Sequence, residues 1–444
     1  MEKMKNSGIE WIGEIPEDWS VIRLKHSAWL KGRIGWQGLR SDEFKEEGPY
    51  LITGTDFDNG IVNWNTCVHI TESRFREAPE IHIHEDDLLI TKDGTIGKTA
   101  IAKNCPEKVS LNSGVFIVRN TGKYKYVSKF LYYIIQSNEF TLWFDLGNVG
   151  NSTIKHLNQE MFYNFQFALP PLETQKRIAD FLDAKCGKID GLKNDIQKQI
   201  ETLEHYKKSV ITEAVTKGIN PNAKMKDSGI EWIGEIPEHW EIHPVYYYFE
   251  ERKHKNTLCK EQNLLSLSYG NVIRKDINAL GGLLPESFNT YNIIEKDDIV
   301  IRPTDLQNDK RSLRTGLCKE HGIITSAYIT LMPKQNVNSH YFHYLLHAYD
   351  IEKVFYNMGN GVRQGLNYSE FAKLLVISPT KDEQKDIVAY LDEKCSSIDS
   401  IITAKKQQLE KLEEYKKSLI FEYVTGKREV SGEFSSKTSE KKGI

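Results

Sequence analysis

The sequence predicts an α+β chain: two similar α+β domains separated by two long helices pairing as an antiparallel coiled coil, with a pseudo-two-fold internal repeat. Three observations carry this. An amphipathic text from Leu172 to Gly218 returns from Lys381 to Lys427, and Gln175, Cys186, Leu203 and Tyr206 meet Gln384, Cys395, Leu412 and Tyr415 at a constant offset of 209. A leader, MKNSGIEWIGEIPEDW over Met4–Trp19, returns as MKDSGIEWIGEIPEHW over Met225–Trp240 at an offset of 221. Between each leader and its helix lie strand-like runs parted by turns. A chain that spells one order of segments twice is built as a duplicated object.

Bulk properties narrow the class. A length of 444 residues exceeds one ordinary core. Hydrophobic content of 39% with 27% charged residues fits a soluble globular protein. No stretch approaches the ~18 unbroken apolar residues of a membrane span. The first residues lack an apolar signal core, so the expected location is the cytoplasm. Six cysteines, at 67, 105, 186, 259, 318 and 395, form no CxxC pair and predict neither a zinc knuckle nor a redox motif. Cys186 and Cys395 hold equivalent places and are expected to be small buried apolar side chains. A net charge of −3 argues against a nonspecific coat for nucleic acid, yet allows a local basic face.

Each leader carries glycine, proline and two tryptophans, so it is an extended, turning segment. Trp11 and Trp19, and their copies Trp232 and Trp240, are expected to pin it onto its own domain. The first middle, 20–170, has strand signals at Tyr50–Thr53, Asp87–Thr91, Gly114–Val118 and Phe165–Leu169, with a helix at Val127–Gln136. The second middle repeats this grammar: Asp297–Ile301 matches Asp86–Ile90, His340–His347 matches Lys129–Gln136, and Gly359–Asn367 matches Gly150–Asn158. The expected domains are 1–170, a helical region 171–218, 219–380, a second helical region 381–427, and a disordered tail 428–444. In the first helical region a break is expected near Gly187–Gly191.

The long helices predict a seam. Ile189, Ile196, Leu203 and Val210 fall seven apart, with Leu192, Gln199 and Tyr206 as the second series. In the other copy the series are Ile398, Lys405, Leu412 and Leu419, with Ile401, Gln408 and Tyr415. A heptad needs a partner helix, and the economical partner is the other copy, returning antiparallel. The competing reading is a dimerisation device between chains. About 28 helical residues span roughly 42 Å, close to one turn of DNA at ~34–36 Å.

Catalytic and metal-binding readings fail on residue identity. His340, His343 and His347 share a helix face, but their counterparts are Lys129, Tyr132 and Gln136. His82, His84, Glu85 and Asp86 look ligand-rich, but the second copy keeps only the two aspartates, Asp297 and Asp298. A metal-dependent nuclease would need a carboxylate two places before Lys92, where Ile90 stands. An adenine methyltransferase would need an aromatic after an Asn/Asp-Pro-Pro run, and the single Pro-Pro, Pro170-Pro171, lies between Leu169 and Leu172. No P-loop occurs. What remains is a set of Gly-punctuated polar loops: Lys31–Arg40, Thr91–Lys98, Gly150–His156 and Gly359–Gly365. Their Arg, Lys, Asn and Gln suit phosphates and base edges, and glycine lets backbone approach a duplex.

Pro-Pro-Leu-Glu-Thr-Gln at 170–175 with Ile178 and Leu182, Glu383-Gln384 in the second copy, and the strand-turn Asp87–Lys98 together resemble the specificity subunits of type I restriction–modification systems. The resemblance covers nearly the whole chain. Two places depart from it: Thr174 stands where glutamate usually precedes the glutamine, and the second copy has Arg302-Pro-Thr-Asp in place of the Gly-Thr-Ile-Gly turn. The resemblance implies two target-recognition domains, each reading half of a bipartite site in double-stranded DNA, and helices that fix the spacer. It also implies two DNA adenine methyltransferase subunits docked on those helices, and restriction subunits. S-adenosylmethionine, ATP and Mg would belong to those partners, with no cofactor or catalysis in this chain. The DNA contacts expected are Arg33, Gln37, Lys92, Lys98, Asn151 and Lys155 in the first domain, and Arg302, Arg311, Arg314, Arg363 and Gln364 in the second. The alternatives are a coiled-coil assembly adaptor without base-specific binding and, disfavoured by the missing motifs, a self-sufficient enzyme.

Overall fold

The computed structural model describes residues 3–33, 39–120, 124–147, 156–277, 287–304, 313–354, 358 and 365–430. It divides into two compact units: unit 1 is Met1–Ile196 with Gln407–Ile444, and unit 2 is Gln197–Lys406. Each unit thus contains a strand-rich middle and half of both long helices.

In unit 1, β1 (Ala28–Gly32), β2 (Phe57–Asp58), β3 (Ile61–Val62), β4 (Leu88–Thr91), β5 (Thr99–Ile101) and β6 (Val115–Asn120) form one sheet in the order β1-β6-β4-β5-β3-β2. Strand β4 is an unbroken apolar run because both its faces are covered. Leu88 and Ile90 enter one core with Phe116 and Val118, while Leu89 enters a second core with Val115 and Ile117. That is the period-two alternation of a strand buried on both sides. Helix α1 (Ser128–Gln136) lays Phe130, Leu131 and Ile134 on the first face, and α2 (Asn138–Gly147) follows it with Phe140 and Phe144. Helix α3 (Leu172–Lys217) completes this half of the chain.

Unit 2 repeats the plan. Strands β7 (Phe249–Glu251), β10 (Ile299–Ile301), β11 (Thr315–Leu317) and β12 (Ile329–Pro333) form a sheet in the order β7-β12-β10-β11, and β8 (Leu265–Ser268) pairs with β9 (Asn271–Arg274) as a separate hairpin. Helix α4 (Ser339–Ile351) takes the place of α1, and α5 (Lys381–Val424) is the second long helix. Register confirms the equivalence: Thr99 faces Ile90 as Thr315 faces Ile301. Both units also make the same turn before the central strand. Asp86 and Asp297 are left-handed (φ 67° and 71°), and the buried Asp87 and Asp298 cap the turn by accepting the amides of His84 and Glu295 at 2.7 and 2.8 Å. The aspartates considered as metal ligands are therefore turn formers. The carboxylates of Asp87 and Asp298 pair with Arg119 at 2.5 Å and Arg252 at 2.6 Å.

Helix α3 is continuous, which corrects the break expected near Gly187–Gly191. Both glycines lie on the exposed side of the helix. Each costs roughly 1 kcal/mol of propensity, which buried flanking residues such as Cys186, Ile189 and Ile200 offset. The antiparallel expectation holds within each unit. In unit 1, Asp190 meets Lys416 at 2.8 Å and Lys193 pairs with Glu413; in unit 2, Gln199 meets Lys405 at 2.5 Å and Asp399 meets Lys207 at 2.6 Å.

The seam itself is rephased. Ile189, Val210, Ile398 and Leu419 are buried, and Ile196, Leu203 and Leu412 half-buried. Leu192, Tyr206, Ile401 and Tyr415, expected as the second series, are 53%, 54%, 46% and 55% exposed. The second series lies one residue later, at Lys193, Ile200 and Lys207 on α3, and at Ile402, Leu409 and Lys416 on α5. Hydropathy favoured leucine and tyrosine over the lysines beside them. The lysines win because their stems cover apolar surface while each ammonium reaches a carboxylate on the opposite helix.

The leaders close each unit at a helix end. Gly426 is left-handed (φ 72°), and a Cβ there would stand 2.4 Å from Pro16 Cδ and 3.1 Å from Trp19. Gly218 (φ 76°) does the same beneath Trp240, at 3.2 Å. Trp19 and Trp240 are buried, as anchors should be. The first leader therefore caps α5, and the second caps α3. Within the segment expected as tail, Val430 is buried in the unit 1 core, and its carbonyl accepts Arg177 Nη2 at 2.9 Å. The rest of the expected disordered tail, 431–444, lies outside the described residues.

Candidate nucleic-acid interface

In unit 1, several loops converge where β4 ends. Thr91 is buried, and its hydroxyl donates to the Thr95 carbonyl at 2.5 Å while accepting the Lys98 amide at 3.0 Å. This staple closes the loop 91–98, in which Gly94 and Gly97 are left-handed (φ 68° and 83°). The Lys92 amide donates to the Gly114 carbonyl at 2.9 Å, and the Lys92 carbonyl accepts the Leu157 amide at 3.0 Å. Lys98 Nζ reaches the Gly54 carbonyl at 3.1 Å, Asn112 Oδ1 accepts the Leu39 amide at 3.4 Å, and His156 Nδ1 lies 2.7 Å from Asp93. The ends of three polar loops singled out by composition, 31–40, 91–98 and 150–156, thus meet at one place.

Unit 2 keeps the same clasp with other side chains. The Leu366 amide donates to the Pro303 carbonyl at 2.9 Å, the counterpart of Leu157 on Lys92. The Arg302 amide donates to the Arg314 carbonyl at 2.8 Å, and the Arg314 amide to Asp350 Oδ2 at 2.5 Å.

The expected contact residues fare differently. Lys92 and Lys98 are half-buried at the loop cluster, their ammoniums 5.0 Å over Phe116 and 5.9 Å over Phe57. Arg302 is half-buried at the corresponding end of β10. Arg33 is only 2% exposed; its Nε donates to the Leu111 carbonyl at 2.9 Å and its Nη2 to Ser110 Oγ at 3.0 Å. Burial, with Arg74 adding to it, lowers its pKa. Arg314 is fully buried and donates to the Thr304 carbonyl. These two arginines are internal struts in this conformation, because carbonyls freed at strand ends recruit the nearest multidentate donor. Gln37, Asn151, Lys155, Arg311, Arg363 and Gln364 lie outside the described residues.

The histidine groups are built into the fold. His82 stacks on Phe75 at 3.8 Å, with Nε2 2.9 Å from the Phe75 carbonyl. His340 lies 3.4 Å from Asp297, and on the same helix His343 Nε2 and His347 Nδ1 are sealed from solvent. Among the described residues no group of three or more His, Cys, Asp and Glu could hold a metal.

The hairpin tips went unremarked in the sequence. Asn59-Gly60 joins β2 to β3, and Tyr269-Gly270 joins β8 to β9. The first carries a plain Asn-Gly hairpin signal; the second has none.

The family description "Type I restriction modification DNA specificity domain" matches residues 16–202 and 287–413. The chain belongs to this family. It is a specificity subunit, the DNA-recognition component of a type I restriction–modification system. Among its relatives is the type I restriction enzyme MjaVIII specificity subunit of Methanocaldococcus jannaschii, 26% identical over 440 residues that cover 93% of each chain. The EcoBI specificity subunit of Escherichia coli is 27% identical over 203 residues, 43% of this chain and 39% of that one. A solved structure described as the "Structural basis underlying complex assembly and conformational transition of the type I R-M system" superposes with a TM-score of 0.65 at 15% identity, over 92% of this chain and 98% of that one.

The specificity-subunit signature around Gln175 now has a physical account. Gln175 is buried, accepts the Val127 amide at 2.8 Å and donates to the Pro170 carbonyl at 2.8 Å. Gln384 donates to the Pro379 carbonyl at 3.0 Å and to Ser378 Oγ at 3.1 Å. One amide ties the last strand to the long helix in each unit. The signature marks a joint.

Proposed function

We propose that unit 1 and unit 2 of this specificity subunit each read one half of an asymmetric bipartite DNA site. Helices α3 and α5 set the unread spacer and seat two DNA adenine methyltransferase subunits, which restriction subunits join. The observation that carries this reading is the repeated clasp. Leu157 on Lys92 and Leu366 on Pro303 hold the same backbone joint, while the side chains it presents differ from copy to copy. A shared frame with unlike lining is what two readers of unlike sequences require. In this reading S-adenosylmethionine, ATP and Mg serve the partner subunits, this chain performs no catalysis, and the complex works on chromosomal DNA in the cytoplasm. No helix among the described residues is long and apolar enough to cross a membrane.

Methylated adenines mapped in a host expressing the complex should fall in a two-part motif with an unread gap. Arg363→Ala should relax one part only; a continuous motif, or relaxation of both parts together, would overturn the division of labour.

The exposed Leu192 and Tyr206 lie fourteen residues apart on α3, and Ile401 and Tyr415 fourteen apart on α5. These four solvent-exposed apolar side chains are the contacts we assign to the docked methyltransferase subunits. Leu192→Lys combined with Tyr206→Lys should leave stability within about 0.5 kcal/mol of wild type and sharply reduce co-purification of the methyltransferase. Undiminished co-purification would place the seat elsewhere.

A further inference from the structure

Tyr269 and Gly270, at the tip of the β8–β9 hairpin, are both left-handed (φ 45° and 79°). Two successive positive φ values make the tight hairpin turn in which asparagine, aspartate or glycine is favoured at the first place. The hairpin of unit 1 obeys that preference with Asn59-Gly60 (φ 48° and 79°). A tyrosine there accepts backbone strain, and packing does not offset it. Tyr269 is 81% exposed, the most of any large apolar side chain among the described residues. Neither turn geometry nor stability accounts for this side chain.

The hairpin is rigidly rooted. Leu265 is buried with Val300 and Ile324, and Leu267 and Val272 pack on the same cluster. Arg274 at its base is held by Glu320 at 2.8 and 2.9 Å. Gly270 lies so close to β11 that a Cβ would stand 3.1 Å from Leu313. Leu313 directly precedes Arg314, whose carbonyl binds Arg302, so the tip stands beside the loop clasp of unit 2. In unit 1 the equivalent tip also packs its glycine, a Cβ on Gly60 standing 2.4 Å from Tyr132 Oη on α1, and its exposed first residue is Asn59. The two copies thus differ in the side chain the tip presents, an ordinary turn asparagine in one and a strained tyrosine in the other.

We propose that the β8–β9 hairpin is a DNA-reading ribbon of unit 2, entering the major groove of its half-site with the Tyr269 ring packed against bases. A two-stranded ribbon fits the ~12 Å major groove, and its backbones, ~4.8 Å apart, leave room for side chains on both flanks. The inference rests on the DNA-recognition reading and names a residue that carries it.

The test uses the full chain in complex with its methyltransferase and a duplex bearing the target found by adenine mapping. Tyr269→Asn restores the preferred Asn-Gly turn, so the fold is not at risk. Its affinity for the target should fall about 30-fold, the loss of one aromatic anchor, while binding to a random duplex stays unchanged. Tyr269→Phe should retain most of the affinity. Target binding by Tyr269→Asn as tight as wild type would overturn the proposal, and so would an equal loss on target and random duplexes. If the wild-type complex itself preferred no duplex, the underlying DNA-recognition reading would fail instead.

Discussion

Asp298→Ala should destabilise unit 2 by about 3–5 kcal/mol, the usual cost of stranding one partner of a buried ion pair. The Asp298 side chain is wholly buried, meets Arg252 at 2.6 Å and accepts the Glu295 amide at 2.8 Å. Alanine would leave a largely buried guanidinium uncompensated and the turn at the left-handed Asp297 without its cap. Burial also raises the pKa of Asp298 despite Arg252, so desolvation consumes much of the pair's attraction. Replacing both members with apolar residues, Asp298→Leu with Arg252→Met, should therefore recover most of the loss. The counterpart Asp87→Ala should cost less, about 2 kcal/mol, because Arg119 keeps 27% of its side chain in solvent and rests 5.4 Å over Trp29. Urea unfolding followed by tryptophan fluorescence measures all of these. A cost below about 1 kcal/mol for Asp298→Ala would reduce the pair to a solvated contact.

The two units should respond to pH with opposite slopes. In unit 1, Glu139 is fully buried, and neither carboxylate oxygen has a hydrogen-bond partner among the described residues. Burial, opposed by nearby Lys427, pushes its pKa up to about 8. Below the ordinary value of 4.5 the group is neutral whether folded or unfolded, and stability is complete. Between 4.5 and about 8 only the unfolded chain ionises, so unit 1 loses stability as pH rises, on the order of 5 kcal/mol. In unit 2, burial lowers His343 to about 3, with His347 and His340 adding to it, and His347 to about 4, with Lys207 and Lys208 adding to it. Above the ordinary 6.5 these rings are neutral in both states. As pH falls below 6.5 the unfolded chain takes up protons that the folded unit refuses, so unit 2 loses stability with acid. Denaturation curves at pH 5, 7 and 9 should show the crossing, and Glu139→Gln should flatten the response of unit 1 alone. A slope in unit 1 that survives Glu139→Gln would assign it to another group.

Repetition made most of the architecture legible. An offset that holds from Gln175 to Tyr206 predicts two like units before any strand is named, and burial on both faces explains why β4 and β10 are continuous apolar runs. The errors share a cause: each rests on partners distant in sequence. Leu192 and Lys193 compete for one seam position, and hydropathy favours leucine. The decision falls to Glu413, which lies on another helix. Gly187 and Gly191 look like a break until the neighbouring side chains find a core. Arg33 and Arg314 have the chemistry of base contacts, but strand-end carbonyls claimed them. Convergence of the loops could be guessed from matched glycines; which side chains point outward could not, as Tyr269 illustrates.

The interleaving of the units fixes an order of completion during synthesis. Unit 2 is one uninterrupted run, Gln197–Lys406, whereas the core of unit 1 includes Leu419, Ile420, Tyr423, Val424 and Val430. The ribosome makes the bulk of unit 1 first, then spends about 10–40 s on unit 2 at ordinary elongation rates before delivering the residues that seal the earlier core. Until then Ile178, Phe181 and Leu182 await the helix that will cover them. A premature stop shortly after Lys406 would therefore spare the unit translated second and cripple the one translated first.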